Sequence, residues 1–85
     1  MQEFQYTVKD PNGIHSRPAG DLCRLAQTFK SRITIASAGR SCDLKKAMQV
    51  MLMNIKQGET VTVTIDGPDE EAAAKILFSH LASHF

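Results

Sequence analysis

Hydrophobic residues along this chain recur with two different periods, and the order in which the periods alternate leaves few folds open. Phe4, Tyr6 and Val8 alternate with Gln5 and Thr7, the pattern of a strand with one buried face. Asp10-Pro11-Asn12-Gly13 is a dense turn signal. Ala19, Leu22, Leu25, Ala26 and Phe29 then recur at steps of three and four, which puts them on one face of a helix. Ser16 is the predicted N-cap of that helix, and Pro18 falls in its first turn, where a missing N–H costs nothing. Ile33 and Ile35 alternate with Arg32, Thr34 and Ala36 in a second strand, and Ala38-Gly39 turns the chain into a short third strand around Arg40 to Cys42. Leu44, Ala47, Met48, Met51, Leu52 and Ile55 make a second helical stripe. Asp43 is its better cap by chemistry, although the first regular turn can begin as late as Ala47, and Gln57-Gly58-Glu59 is expected to end it. Val61, Val63 and Ile65 alternate with threonines in a fourth strand. Gly67-Pro68 opens a third helix, with Asp69, Glu70 and Glu71 in its first turn, where the dipole favours acids. Ala73, Ile76, Leu77, His80 and Leu81 form its inner face.

The resulting order is β-α-β-β-α-β-α. Alternation in every strand points to a sheet with one solvated face, and the three helical stripes need the other face for burial. The expected fold is therefore α+β: a four-stranded antiparallel sheet covered on one face by three helices, an open-faced β-sandwich. At 85 residues the chain is expected to be one domain, residues 1–85. A net charge of +1 gives no bulk attraction to nucleic acid or to an anionic membrane. No apolar run approaches the roughly 20 residues of a membrane span, and the N-terminus lacks a signal-peptide pattern, so a cytoplasmic location is expected. Cys23 and Cys42 stand apart without metal-ligand spacing and are expected to be free, partly buried thiols.

The stretch richest in chemistry is Gly13-Ile14-His15-Ser16-Arg17-Pro18-Ala19-Gly20. It sets a histidine directly before a predicted helix start. The first N–H groups of a helix lack internal partners and carry the positive end of its dipole, so they favour anions. A cation is disfavoured in the same place, which favours the uncharged imidazole, and such a ring has a lone pair that can attack phosphorus. Ser16, Arg17, Pro18 and Ala19 would line the anion site, with Arg17 adding a permanent charge and a planar fork of donors. On chemistry alone, His15 could equally be a surface residue in a turn before a helix.

The segment 13–20 resembles the histidine-phosphorylation motif of the HPr family, Gly-x-His-x-Arg-Pro. The turn at Gly39, the Leu44-Lys45 pair, the run Met48-x-Val50-Met51, Ile55 and Gly58 extend the resemblance over essentially the whole chain without gaps. It implies a phosphocarrier of the sugar phosphotransferase system, an intermediate carrier and not an enzyme acting alone. A phosphoryl group from phosphoenolpyruvate would pass through enzyme I to Nδ1 of His15, and on to an EIIA-type protein. The resemblance makes Arg17 the electrostatic partner of His15. It also implies a docking surface around Gly20, Arg24, Lys45, Lys46, Ala47, Met48 and Met51. Flexible, polarizable methionines suit a surface that binds two partners in turn, and the basic residues would attract acidic partners. No cofactor and no metal are expected, and the carrier is expected to act as a monomer.

One position departs from the family. Many members carry a serine two residues after the leucine that opens the second helix, and in some bacteria a kinase modifies it. Here that position is Lys46, which argues against the serine switch. The alternative reading is an HPr-like regulatory or nitrogen-pathway phosphotransfer module. An RNA-binding sheet ranks last, because the chain has five aromatic residues, four Phe and one Tyr, and near-neutral charge. His80 and His84 lie four apart near a helix end, where the dipole alone favours them, and are not read as a metal pair.

Overall fold

A computed structural model describes residues 1–85. The elements are β1 (Gln2–Thr7), α1 (Ser16–Gln27), β2 (Arg32–Ser37), β3 (Arg40–Asp43), α2 (Ala47–Leu52), β4 (Thr60–Asp66) and α3 (Glu70–His84). The strands form one sheet in the order β1-β4-β2-β3, antiparallel throughout. The period-two pattern explains why. In β4, Val61, Val63 and Ile65 are fully buried while Thr62 and Thr64 face the other side, and the register pairs Val63 with both Phe4 and Ile35. Removing each such side chain from water contributes about 1.5–3 kcal/mol. The open-faced arrangement expected from the sequence is the one observed.

β2 and β3 meet in a two-residue hairpin. Ala38 and Gly39 both have positive φ, 51° and 78°, the left-handed pair that matches the twist of the flanking strands. The entrance to β2 is tied to the start of α3. Ser31 Oγ donates to the Asp69 carboxylate, as do the amides of Lys30 and Ser31. These donors hold Asp69 below the usual carboxylate range, the Ser31 hydroxyl first among them. Asp69 occupies the N-cap position of α3 without capping it.

The helices depart from the sequence reading in three places. Ser16 is not the cap of α1: His15 occupies that position, and its carbonyl accepts the Ala19 N–H at 3.0 Å. The second stripe is not one helix. Leu44 is buried from a turn, α2 runs only from Ala47 to Leu52, and Ile55 is buried from the loop that follows. Asp43 accepts the Lys45 N–H within that turn while Lys46 takes the cap position. The helix therefore ends well before Gln57, and Val50 is its one fully buried residue. In α3 the buried stripe is narrower than expected. Ala73, Leu77, Leu81 and Phe85 recur every four residues and are buried, whereas Ile76 is 46% exposed. Phe78, beside it, packs edge-on against Phe4 and Tyr6, with ring centroids 5.4 and 6.1 Å away. Cys23 is fully buried and Cys42 half-buried, both as free thiols.

Candidate functional site

His15 is delivered by an eight-residue crossing from β1 to α1, and that crossing is bonded along its length. Val8 exchanges backbone hydrogen bonds with the α2–β4 loop, its N–H donating to Glu59 O at 2.9 Å and its carbonyl accepting from Gly58 N at 2.8 Å. The amides of Lys9 and Asp10 both donate to the Phe85 carbonyl at 2.7 Å. The Asp10 carboxylate accepts the Asn12 N–H at 2.8 Å and its carbonyl accepts that of Gly13 at 2.9 Å, a local turn of the kind Asp favours. Ile14, buried, donates to Ile55 O at 3.0 Å. His15 then emerges extended, with φ −147° and ψ 157°, and its ring is half-exposed.

The start of α1 offers fewer free donors than the motif suggests. Pro18 has no N–H, and that of Ala19 is bonded to His15 O. The amides of His15, Ser16 and Arg17 are left at this helix end without a partner in the protein. Ser16 has φ 43°, a left-handed conformation that a non-glycine residue adopts at a cost of about 1–3 kcal/mol. Arg17 is exposed and takes part in none of the three ion pairs of the structure. It lines a narrow groove of about 160 Å³ with Pro18, Asp21, His80 and His84. His15, Ser16 and Arg17 thus make up an exposed helix start with three unpaired amides, and the Arg17 guanidinium, lining the neighbouring groove, is unpaired as well; both kinds of donor suit an anion.

The expected docking residues fall into two groups. Met48 is 73% and Met51 42% exposed, and Leu52, assigned to the buried stripe by its spacing, is 79% exposed. These three give α2 an apolar outer surface, beside the half-buried Ala47. The basic residues are mostly occupied. Arg24 pairs with Asp21 on the preceding turn of α1. Lys45 is half-buried and its Nζ donates to Phe29 O at 2.7 Å, while Gln27 Nε2 donates to Lys45 O at 2.8 Å. Lys45 therefore ties the chain before α2 to the end of α1. Lys46 alone is exposed without a partner.

Gly20 lies within α1, and a Cβ there would meet only the Arg24 guanidinium at 3.8 Å, an ordinary contact. Packing does not require glycine, so Gly20→Ala should stabilise the fold by about 0.5–1 kcal/mol through helix propensity. Urea unfolding measures this, and a lower midpoint would contradict the open space seen beside Gly20.

His80 sits in the groove against α1, its ring 4.3 Å from that of His84 between centroids. Burial, then the neighbouring His84, pushes its pKa below the ordinary value, with Asp21 opposing. The folded state therefore binds this proton less readily than the unfolded chain, and stability falls as pH drops through about 6.5. Melting at pH 7.5 and 5.5 should show that loss, and His80→Gln should reduce it. An equal loss in the variant would place the titration elsewhere.

The family model for the PTS HPr component phosphorylation site matches residues 2–83. The phosphocarrier protein HPr of Mycoplasma pneumoniae is 36% identical over 85 residues, covering 99% of this chain and 97% of its own. A solved histidine-containing phosphocarrier protein of mycoplasma superposes with a TM-score of 0.93 at 34% identity, over 96% of this chain and 93% of that one. An HPr dimer from Thermoanaerobacter tengcongensis superposes with a TM-score of 0.77 at 31% identity, over 98% of this chain and 95% of that one. With the family model matched over residues 2–83, a relative 36% identical over nearly the whole of both chains and the same fold, the chain belongs to the HPr family of phosphocarrier proteins of the phosphotransferase system.

Proposed function

We propose that the chain accepts a phosphoryl group on His15 from phospho-enzyme I and passes it to an EIIA-type protein. The observation that supports this most is the exposed tip itself: a half-exposed imidazole followed by the unpaired amides of Ser16 and Arg17 and the unpaired Arg17 side chain. The lone pair of the ring attacks phosphorus, a nitrogen–phosphorus bond forms, and the donor keeps the electron pair of the bond that breaks. The resemblance to HPr implies Nδ1 as the attacking atom. The amides and Arg17 then hold the oxygens of the arriving group. Stabilisation at a helix start is typically about 0.3–1 kcal/mol, enough to steady a phosphohistidine without trapping it, and a carrier must release what it accepts. The phosphorylation is transient, and the chain is not a catalyst by itself.

The outer side chains of α2, Met48, Met51 and Leu52, are proposed to meet both partners in turn, with Lys46 at their edge. Partner exchange requires the surface to be free, so the carrier acts as a monomer in the cytoplasm. No helix is long and apolar enough to cross a membrane. A nitrogen-pathway role is the second reading, and the partners distinguish it. Phosphorylation by enzymes I of the sugar and nitrogen systems, side by side, should favour the sugar enzyme. Preference for the nitrogen enzyme would reassign the pathway, and acceptance from neither would remove the proposal.

A further inference from the structure

The α2–β4 loop holds the backbone in front of His15, and its shape depends on a residue in a conformation that side chains seldom adopt. Asn54, just past α2, has φ 52°. This left-handed turn, closed by the Asn54 N–H on Met51 O at 3.1 Å, ends the helix and reverses the chain. The next residue, Ile55, buries its side chain and presents its carbonyl to the His15 loop. That carbonyl accepts the Ile14 N–H at 3.0 Å, and it lies only 2.1 Å from where a Cβ on Gly13 would be. The contact is backbone against backbone, and it fixes the two residues that immediately precede His15.

We infer that Asn54 is a positioning residue for phosphoryl transfer, setting the Ile55 carbonyl that holds the Gly13–Ile14 backbone and so places the His15 ring. Its side chain makes no hydrogen bond to the ring. This role rests on the carrier proposal for its effect on transfer, but not for its effect on the loop. Asparagine suits the position because it tolerates the left-handed conformation better than other side chains, and glycine adopts it freely. A β-branched residue does not. Asn54→Val would relieve its strain by turning the 54–55 segment, which moves the Ile55 carbonyl off the Ile14 N–H. Small displacements of reacting groups can cost up to about 100-fold in rate.

The test compares Asn54→Val, Asn54→Gly and Ala38→Val. Ala38 has the same left-handed backbone, φ 51°, but lies in the β2–β3 hairpin with no hydrogen bond to the His15 loop. Two readouts are taken at a temperature where circular dichroism shows each variant folded, with Asn54→Ala replacing the valine variant if it does not fold. The first is hydrogen exchange of the Ile14 amide relative to those of β4. The second is the kcat and KM of phosphoryl acceptance from enzyme I. Asn54→Val should accelerate Ile14 exchange selectively and lower kcat about tenfold with KM within about twofold, Asn54→Gly should match the wild type, and Ala38→Val should lose stability alone. Unchanged Ile14 exchange in Asn54→Val would overturn the inference, as would an equal loss of kcat in Ala38→Val. A wild-type chain that accepts no phosphoryl group would defeat the carrier proposal instead, leaving the exchange result to judge the loop.

Discussion

His15→Ala is expected to leave the fold intact and to abolish phosphoryl acceptance. The ring is half-exposed and makes no hydrogen bond to the rest of the protein, while the backbone of His15 supplies the carbonyl that starts α1. Alanine keeps that carbonyl. The melting temperature should therefore stay close to that of the wild type, since surface substitutions away from special features usually change stability by no more than about 0.5 kcal/mol. Transfer has no substitute for the lost nucleophile. His80 and His84 line the groove beside Arg17, but neither lies at a helix start, and His80 is partly buried. The experiment measures the melt and the phosphorylated fraction in one preparation. Residual phosphorylation in the variant would mean that a second histidine accepts the group.

Gly13→Ala should be the most destabilising single change near the site. The added Cβ would overlap the Ile55 carbonyl oxygen at 2.1 Å and the Lys56 Cα at 2.9 Å, both backbone atoms that cannot rotate away. The φ of 69° adds a conformational cost. Overpacking of about 1–3 kcal/mol and a left-handed penalty of about 1–2 kcal/mol together give roughly 2–5 kcal/mol. That is a large share of the stability of a small domain, typically about 5–15 kcal/mol. Urea denaturation reads the loss from the midpoint. A change below about 0.5 kcal/mol would show that the two loops are not locked together as the backbone contacts indicate.

The sheet was legible in the sequence because its one-sided burial writes itself into every strand, as Val61, Val63 and Ile65 show against their threonines. The second helix was not. Leu44 and Ile55 are buried, but from a turn and a loop on either side of a short helix, and spacing alone cannot separate these from one continuous stripe; Val50, the residue the short helix buries, lay outside the stripe as read. The placing of Leu52, 79% exposed, in the buried stripe has the same cause. Asn54 was a usable signal, since asparagine often ends helices in the left-handed conformation.

The site was legible in its residues and less so in its geometry. His15 and Arg17 stand out by type and spacing. The capping role moved from Ser16 to His15 because the residue whose carbonyl takes the first helical bond is decided by the path of the loop, which Ile55 and Phe85 hold from distant parts of the chain. Phe85 was missed although it continues the four-residue series of Ala73, Leu77 and Leu81. Lys45 was read as a docking charge, yet its ammonium bonds the Phe29 carbonyl, a pairing across 16 residues that no local pattern announces.

The most direct measurement follows a labelled phosphoryl group. The wild-type chain is mixed with phosphoenolpyruvate and enzyme I, analysed by intact mass and peptide mapping, and then given an EIIA-type protein. The account predicts a gain of one acid-labile phosphoryl group on His15, which leaves the chain when EIIA is added. A group found on another residue, or one that stays on His15 in the presence of EIIA, would contradict it.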